Sequence, residues 1–159
     1  MIFFRFSAPP GLRFSVLPGL AALALLGACK EDTQAKTPVV PPTGPSAVVS
    51  LDLTDFQQEM VDGRHRYVHQ RRFSETAGVG ATITRGKVCV QNGTECVDAL
   101  TNYALPANGE FVQPNSHFAT PLPQDRITLE YWLTDANGHQ LTLKRVVETN
   151  GATATVVGN

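Results

Sequence analysis

The 159-residue sequence has few charged residues and no segment with clear helical periodicity. Only 17% of the residues are Asp, Glu, Lys or Arg, and the formal net charge at pH 7 is −1. Such a chain has no general electrostatic attraction to nucleic acid, so we predict no nucleic-acid partner. An apolar run of about 20 residues, which a membrane-spanning helix needs, is also missing.

Sequence motifs of enzymes are missing as well. We find no serine at a strand-to-helix elbow, no His-Glu-x-x-His zinc motif and no phosphate-binding loop. Catalytic groups can converge from distant positions, so an enzyme is kept as the less favoured alternative. We therefore predict no catalytic residues, no metal site and no cofactor.

The first 28 residues have the order of an export signal. Arg5 and Arg13 precede an apolar run from Leu20 to Leu26, and small residues follow that run. The apolar run is too short to cross a bilayer. We predict that residues 1–28 are a signal peptide that is removed after export.

The segment Leu26-Gly27-Ala28-Cys29 resembles the lipobox of bacterial lipoproteins. The resemblance implies cleavage between Ala28 and Cys29, a diacylglyceryl group on the Cys29 sulfur, and acylation of the new amino terminus by a fatty acid such as palmitate. Two or more acyl chains make a stable anchor, so the membrane is a predicted partner. Lys30 follows Cys29. At this position an Asp would resemble the signal that retains Gram-negative lipoproteins in the inner membrane, and a Lys does not. We expect a cell-envelope protein, in a Gram-negative host one of the outer membrane, facing the periplasm or the surface.

Residues 29–46 are predicted to be the lipidated cysteine and a disordered linker. Four prolines and almost no residues able to pack occupy this segment. The folded domain is then expected over residues 47–159. A polyproline-like linker would hold that domain away from the lipid surface.

The domain has the residue pattern of an all-β protein. Apolar residues alternate or form short runs, and turn residues separate them about every ten positions. Strands are predicted at Val48–Thr54, Arg66–Phe73, Gly80–Thr84, Lys87–Gln91, Thr94–Asp98, Ile127–Thr134, Gln140–Glu148 and Ala152–Val157. Leu51–Asp62 could instead hold a helical turn.

Two hairpins are predicted at Asn92-Gly93 and Asn137-Gly138, because Asn and Gly tolerate the positive φ of a type I′ turn. The segment YWLTDANGHQLTL, which begins at Tyr131, resembles the late hairpin of bacterial immunoglobulin-like domains. That resemblance covers about thirty residues. We predict an antiparallel two-layer immunoglobulin-like sandwich of about seven strands, with a small β-barrel as the alternative.

Cys89 and Cys96 remain as a pair once lipidation has used Cys29. A two-residue turn at Asn92-Gly93 would place them opposite each other on adjacent strands, within disulfide distance. We predict a structural disulfide in an oxidising compartment. Their spacing fits neither the CxxC redox motif nor a zinc knuckle.

A basic run, RHRYVHQRRF, occupies residues 64–73. Its candidate ligand-binding residues are Arg64, Arg66, Tyr67, His69, Arg71 and Arg72. They could form an anion-binding stripe in which Tyr67 stacks on a sugar or ring. The favoured interpretation is a solvated strand whose basic side chains cover apolar surface and pair with acids.

Two kinds of partner fit a tethered, non-catalytic domain. The first hypothesis is a module that binds an envelope protein or glycan, and Trp132 with Tyr131 could form a carbohydrate platform, although core positions are favoured for both. The alternative is an inhibitor or structural accessory protein of an envelope enzyme, presenting a loop such as Leu105–Pro123.

Overall fold

The computed structural model describes residues 41–158, and every regular element in that part is a β-strand. The predicted signal peptide, Cys29 and linker residues up to position 40 lie outside the described residues. The eight strands are β1 (Val49–Val61), β2 (Arg64–Glu75), β3 (Ala81–Val90), β4 (Glu95–Leu105), β5 (Glu110–Thr120), β6 (Gln124–Asp135), β7 (Gln140–Asn150) and β8 (Thr153–Gly158). Over residues 41–158 there is no helix that could span a bilayer. The all-β prediction is confirmed.

The strands form two antiparallel sheets packed as a sandwich. One sheet has the order β1-β2-β5 and the other has the order β4-β3-β6-β7-β8. The strand orders β1-β2-β5 and β3-β6-β7 within the two sheets correspond to strands A-B-E and C-F-G of an immunoglobulin-like sandwich. Within residues 41–158 the sheets do not close on each other, so the small-barrel alternative is wrong, and the strand number is eight rather than seven.

Strand β6 supplies the centre of the core. Ile127, Leu129 and Leu133 alternate along it and are fully buried. They face apolar side chains of the opposite sheet, among them Leu51 and Phe73. Full burial of one such side chain contributes about 1.5 to 3 kcal/mol, so this alternation holds the two layers together.

Strand β5 was not predicted, because a bulge breaks its alternation. Phe111 and Gln113 share a face with Phe118 only because Pro114 and Asn115 both lie opposite the single residue Gln70. Because of the extra residue, the inward-facing positions change from odd-numbered to even-numbered residues. The alternation of apolar and polar residues that marks a strand is therefore not visible in the sequence. The expected loop at Leu105–Pro123 is therefore wrong, since most of it is this strand.

Strand β1 contains a similar bulge. Asp55 has a φ of 58°, and Asp55 and Phe56 together lie opposite His69. Leu53 and Phe56 consequently both turn inward at a spacing of three, which imitates one turn of a helix. The alternative of a helical turn within Leu51–Asp62 is wrong.

Both predicted hairpins are present. In the first, Asn92 and Gly93 both have positive φ and Thr94 N donates to Gln91 O at 3.2 Å, as predicted. A further turn overlaps it, because Gln91 also has positive φ and Gly93 N donates to Val90 O at 3.1 Å. In the second hairpin only Gly138 has positive φ, and Gly138 N donates to Asp135 O at 3.0 Å. That second turn is a three-residue loop ending in a left-handed glycine.

Two buried carboxylates hold loops at one end of the sandwich. Glu75 accepts hydrogen bonds from backbone N–H groups, including that of Val48 at 3.2 Å. Asp135 accepts one from Ala47 N at 3.0 Å and further ones from the turn before β7. Burial by itself raises the pKa of Asp135, but these N–H donors and the His139 ring outweigh it and bring the pKa to about 2. Because Ala47 N is bound to the buried Asp135 carboxylate, the folded domain begins at Ala47.

Candidate functional site: a cleft between two edge strands

A cleft opens on one side of the sandwich, between strands β4 and β5. These are the edge strands of the two sheets on that side. The cleft has a volume of about 470 Å³ and is lined by residues of β2 to β6. Cavities of this size hold small organic ligands in many proteins.

Bulges in both edge strands lie beside the cleft. In β5 the bulge is at Pro114 and Asn115, and in β4 two residues, Thr101 and Asn102, lie opposite Thr84. A bulge bends its strand and increases the local twist. Val97, which points from β4 toward the cleft, is 68% exposed because no strand of the smaller sheet covers it.

Each end of the cleft is crossed by a contact between the sheets. At one end Arg64 donates to both carboxylate oxygens of Glu95 at 2.9 Å. This ion pair lowers the pKa of Glu95, chiefly through the hydrogen bond from Arg64. Toward the other end the rings of Tyr103 and Phe111 stack with centroids 4.9 Å apart. The open part of the cleft is therefore a slot of limited length.

The inner wall of the slot is apolar. It consists of the side chains of Phe73, Ile83, Val88, Val90 and Phe118, together with the Tyr131 ring. Gly86 lies under that ring, and a Cβ there would be 3.1 Å from a ring carbon. A glycine is thus what allows Tyr131 to lie flat against β3.

Arg71 supplies the slot with a positive charge. Its Nε donates to Nε2 of His69 at 3.2 Å, while Nδ1 of His69 lies 3.4 Å from Tyr67 O. Burial, followed by the charge of Arg71, lowers the pKa of His69 to about 4, so the imidazole is neutral at pH 7. Over residues 41–158 Arg71 has no carboxylate within salt-bridge distance.

The hydroxyl of Tyr131 lies beneath the surface of the slot. Tyr131 is 5% exposed, and its Oη is itself buried and has no hydrogen-bond partner among the described residues. The guanidinium carbon of Arg71 lies 5.7 Å from the centre of the Tyr131 ring. A buried hydroxyl without a partner costs free energy.

The predicted basic stripe is divided by the fold. Arg66 and Arg72 lie on the outer face of their sheet, within 3.4 Å of Glu59 and 3.8 Å of Glu110 respectively. Tyr67 is fully buried and donates to Gly151 O at 2.6 Å, so its ring has no free face for stacking on a ligand. Of the six predicted ligand-binding residues, only Arg64 and Arg71 line the slot.

Two other features named from the sequence, the Cys89–Cys96 pair and Trp132, do not line the slot. Cys89 and Cys96 form a disulfide between directly paired residues, with a Cα–Cα distance of 4.0 Å, which confirms that pairing. Trp132 is half-buried on the outer face rather than in the core, with the Arg85 guanidinium 4.4 Å above its ring. Tyr131, by contrast, does point inward as predicted. Residues 41–158 contain no cluster of three or more His, Cys, Asp or Glu side chains placed to hold a metal ion.

Sequence reasoning missed Glu95, Tyr103 and Gly86 as parts of a site. They come from β3 and β4 and join the site only through sheet pairing. The one signal in the sequence was the spacing of two within the basic run: Tyr67, His69 and Arg71 share a strand face, and a charged residue on an inward face indicates a polar site.

Comparisons with known proteins find no family, but they find distantly similar solved structures. No family model matches the chain, and no curated protein matches it. Among solved structures, the X-ray structure of a Northeast Structural Genomics Consortium target has a TM-score of 0.49 and 10% identity, covering 70% of this chain and 84% of the target. A crystal structure of a Bordetella pertussis protein described as ApaA has a TM-score of 0.49 and 16% identity, covering 74% of this chain and 96% of that protein.

Proposed function

We propose that this chain is a lipid-anchored, non-catalytic binding module of the cell envelope, and that its ligand occupies the slot between β4 and β5. The observation that carries the binding function is an apolar slot of about 470 Å³ lined by a cation, Arg71, that has no carboxylate within salt-bridge distance over residues 41–158. A few polar groups in an apolar concavity are the usual composition of a small-molecule site.

The anchor is supported by the leader sequence, Leu26-Gly27-Ala28-Cys29. A disulfide between Cys89 and Cys96 fits a compartment outside the cytoplasm. Changing Cys29 to Ser should move the protein from the membrane fraction to the soluble fraction and remove the acyl mass from its amino-terminal peptide. An unmodified Cys29 in the wild-type protein would contradict the anchor.

The apolar lining favours a small apolar molecule over the envelope protein or glycan that the sequence suggested. Glycan sites usually present many hydrogen-bonding groups, whereas this slot is lined mainly by aliphatic and aromatic side chains. The alternative function as an inhibitor loses the loop on which it depended, because Glu110–Thr120 is paired with β2.

A neutral fluorescent probe, N-phenylnaphthylamine, tests the slot without involving charge. We expect the chain carrying Cys29→Ser to bind it and Ala99→Trp in that background to abolish the fluorescence gain, because Ala99 lines the slot. The matched control is Ala104→Trp, an exposed position farther along β4 that pairs with Thr82 and does not line the slot. Equal loss in both variants, or no binding in any of them, would contradict a binding function for the slot.

A further inference from the structure

We infer that the ligand is an amphipathic carboxylate: an apolar chain lies along the slot and its single carboxylate binds Arg71. This inference depends on the proposed function, because it assigns the ligand class of the same slot. It concerns chemistry that neither the leader nor the fold implies.

The charges that line the slot favour an anion. Arg64 and Arg71 are the two permanently charged cationic side chains that line it. Arg64 is neutralised by Glu95, while Arg71 has no carboxylate within salt-bridge distance over residues 41–158 and donates to the neutral His69. A guanidinium beside an apolar wall gains most from an anion that shares its partly desolvated position.

The hydrogen-bonding geometry suits a carboxylate. His69 takes the Nε–H of Arg71, which leaves the two terminal amino groups of the guanidinium for two ligand oxygens. These groups form a planar fork that matches a carboxylate. The Tyr131 ring, from the opposite sheet, lies beside the guanidinium, with 5.7 Å between the ring centre and the guanidinium carbon. The free cation count also favours a single negative charge over a phosphate monoester, which carries about −1.5 to −2.

The remainder of the slot suits an apolar chain. Ile83, Val88 and Val90 lie along β3, and Phe118 faces them from β5. The Arg64–Glu95 ion pair limits the slot at one end and the Tyr103–Phe111 stack limits it toward the other. A linear acyl chain buries its surface in such a slot, whereas a branched polar molecule would leave hydroxyl groups without partners.

Titrations with dodecanoate and its neutral analogue dodecanol test this assignment. In the full chain carrying Cys29→Ser, which cannot be acylated on that sulfur, we expect dodecanoate to displace N-phenylnaphthylamine about tenfold or more better than dodecanol, since hydrogen bonds to a charged group contribute about 1.5 to 3 kcal/mol. Arg71→Gln should reduce this preference to less than about threefold while dodecanol binding is retained. Arg72→Gln, one residue further on the outer face, is the matched control and should keep the wild-type preference.

The outcomes separate the inference from the function on which it depends. Equal binding of dodecanoate and dodecanol, or an unchanged preference in Arg71→Gln, would overturn the carboxylate assignment and leave an apolar binding site. Tighter binding of dodecyl phosphate than of dodecanoate would overturn it as well. No binding of either compound or of the neutral probe would overturn the proposed function together with the inference. Urea unfolding of Arg71→Gln establishes that the variant is folded.

Discussion

Nε of Arg71 donates a hydrogen bond to Nε2 of His69 at 3.2 Å, so a buried neutral imidazole fixes the position of the cation in the slot. His69 is 1% exposed and stacks on Phe56 with ring centroids 5.2 Å apart. Protonation of Nε2 would remove the acceptor and place a second positive charge beside the guanidinium. The geometry of the slot is therefore coupled to the protonation state of His69.

The stability of the domain should fall as the pH is lowered from 7 to 5. The folded-state pKa of His69 is about 4 and the unfolded value is 6.5, so in this window the unfolded chain binds the proton and the folded domain does not. The contribution of neutral His69 to the free energy of unfolding is nearly complete above pH 6.5. It should decrease by about 2 kcal/mol by pH 5. Urea unfolding at the two pH values measures this change.

A variant without the imidazole separates this effect from other titrations. His69→Gln should lose most of the pH dependence, although its stability at pH 7 is lower. His65→Asn, on the same strand, keeps His69 and should retain the wild-type slope. The lower limit of pH 5 stays above the ordinary pKa values of Glu and Asp, 4.5 and 3.8, below which the unfolded chain takes up protons that Glu75 and Asp135, with lowered pKa values in the folded domain, do not. An identical slope in His69→Gln and wild type would contradict the assignment.

Tyr131→Phe should leave the free energy of unfolding unchanged or raise it by up to about 1 kcal/mol, because the hydroxyl that is removed has no partner among the described residues. The same variant should keep the wild-type preference for dodecanoate over dodecanol, because the buried Oη does not reach the slot. Denaturant unfolding and probe displacement are the two measurements.

Tyr67→Phe is the matched control for this prediction. The Tyr67 hydroxyl donates to Gly151 O at 2.6 Å, so its removal should cost about 1 kcal/mol of stability and leave the ligand preference intact. A large loss of stability in Tyr131→Phe would mean that its hydroxyl has a partner in the folded protein and would contradict this prediction.

The double variant Cys89→Ser with Cys96→Ser should be less stable by about 2.5 kcal/mol, the chain-entropy value for a loop closed over a sequence separation of 7. Denaturant unfolding of the oxidised protein and of the double variant gives the difference. Reduction of the wild type should reproduce it, and addition of reductant to the double variant should change nothing. Equal stability of the two proteins would show that the hairpin is already ordered in the unfolded chain.

The sequence by itself determined the class of fold, the two hairpins and the pairing of Cys89 with Cys96, because alternation and turn residues act over a few positions along the chain. It also carries the predicted lipobox at Cys29, which awaits the fractionation and mass measurement described above. Tertiary structure alone decided the bulged strand β5, the burial of Tyr67 and the meeting of Arg71 with Tyr131. A bulge reverses which residues of a strand face inward, and contacts between sheets join residues far apart in the chain. Neither can therefore be recognised from a pattern of neighbouring residues in the sequence.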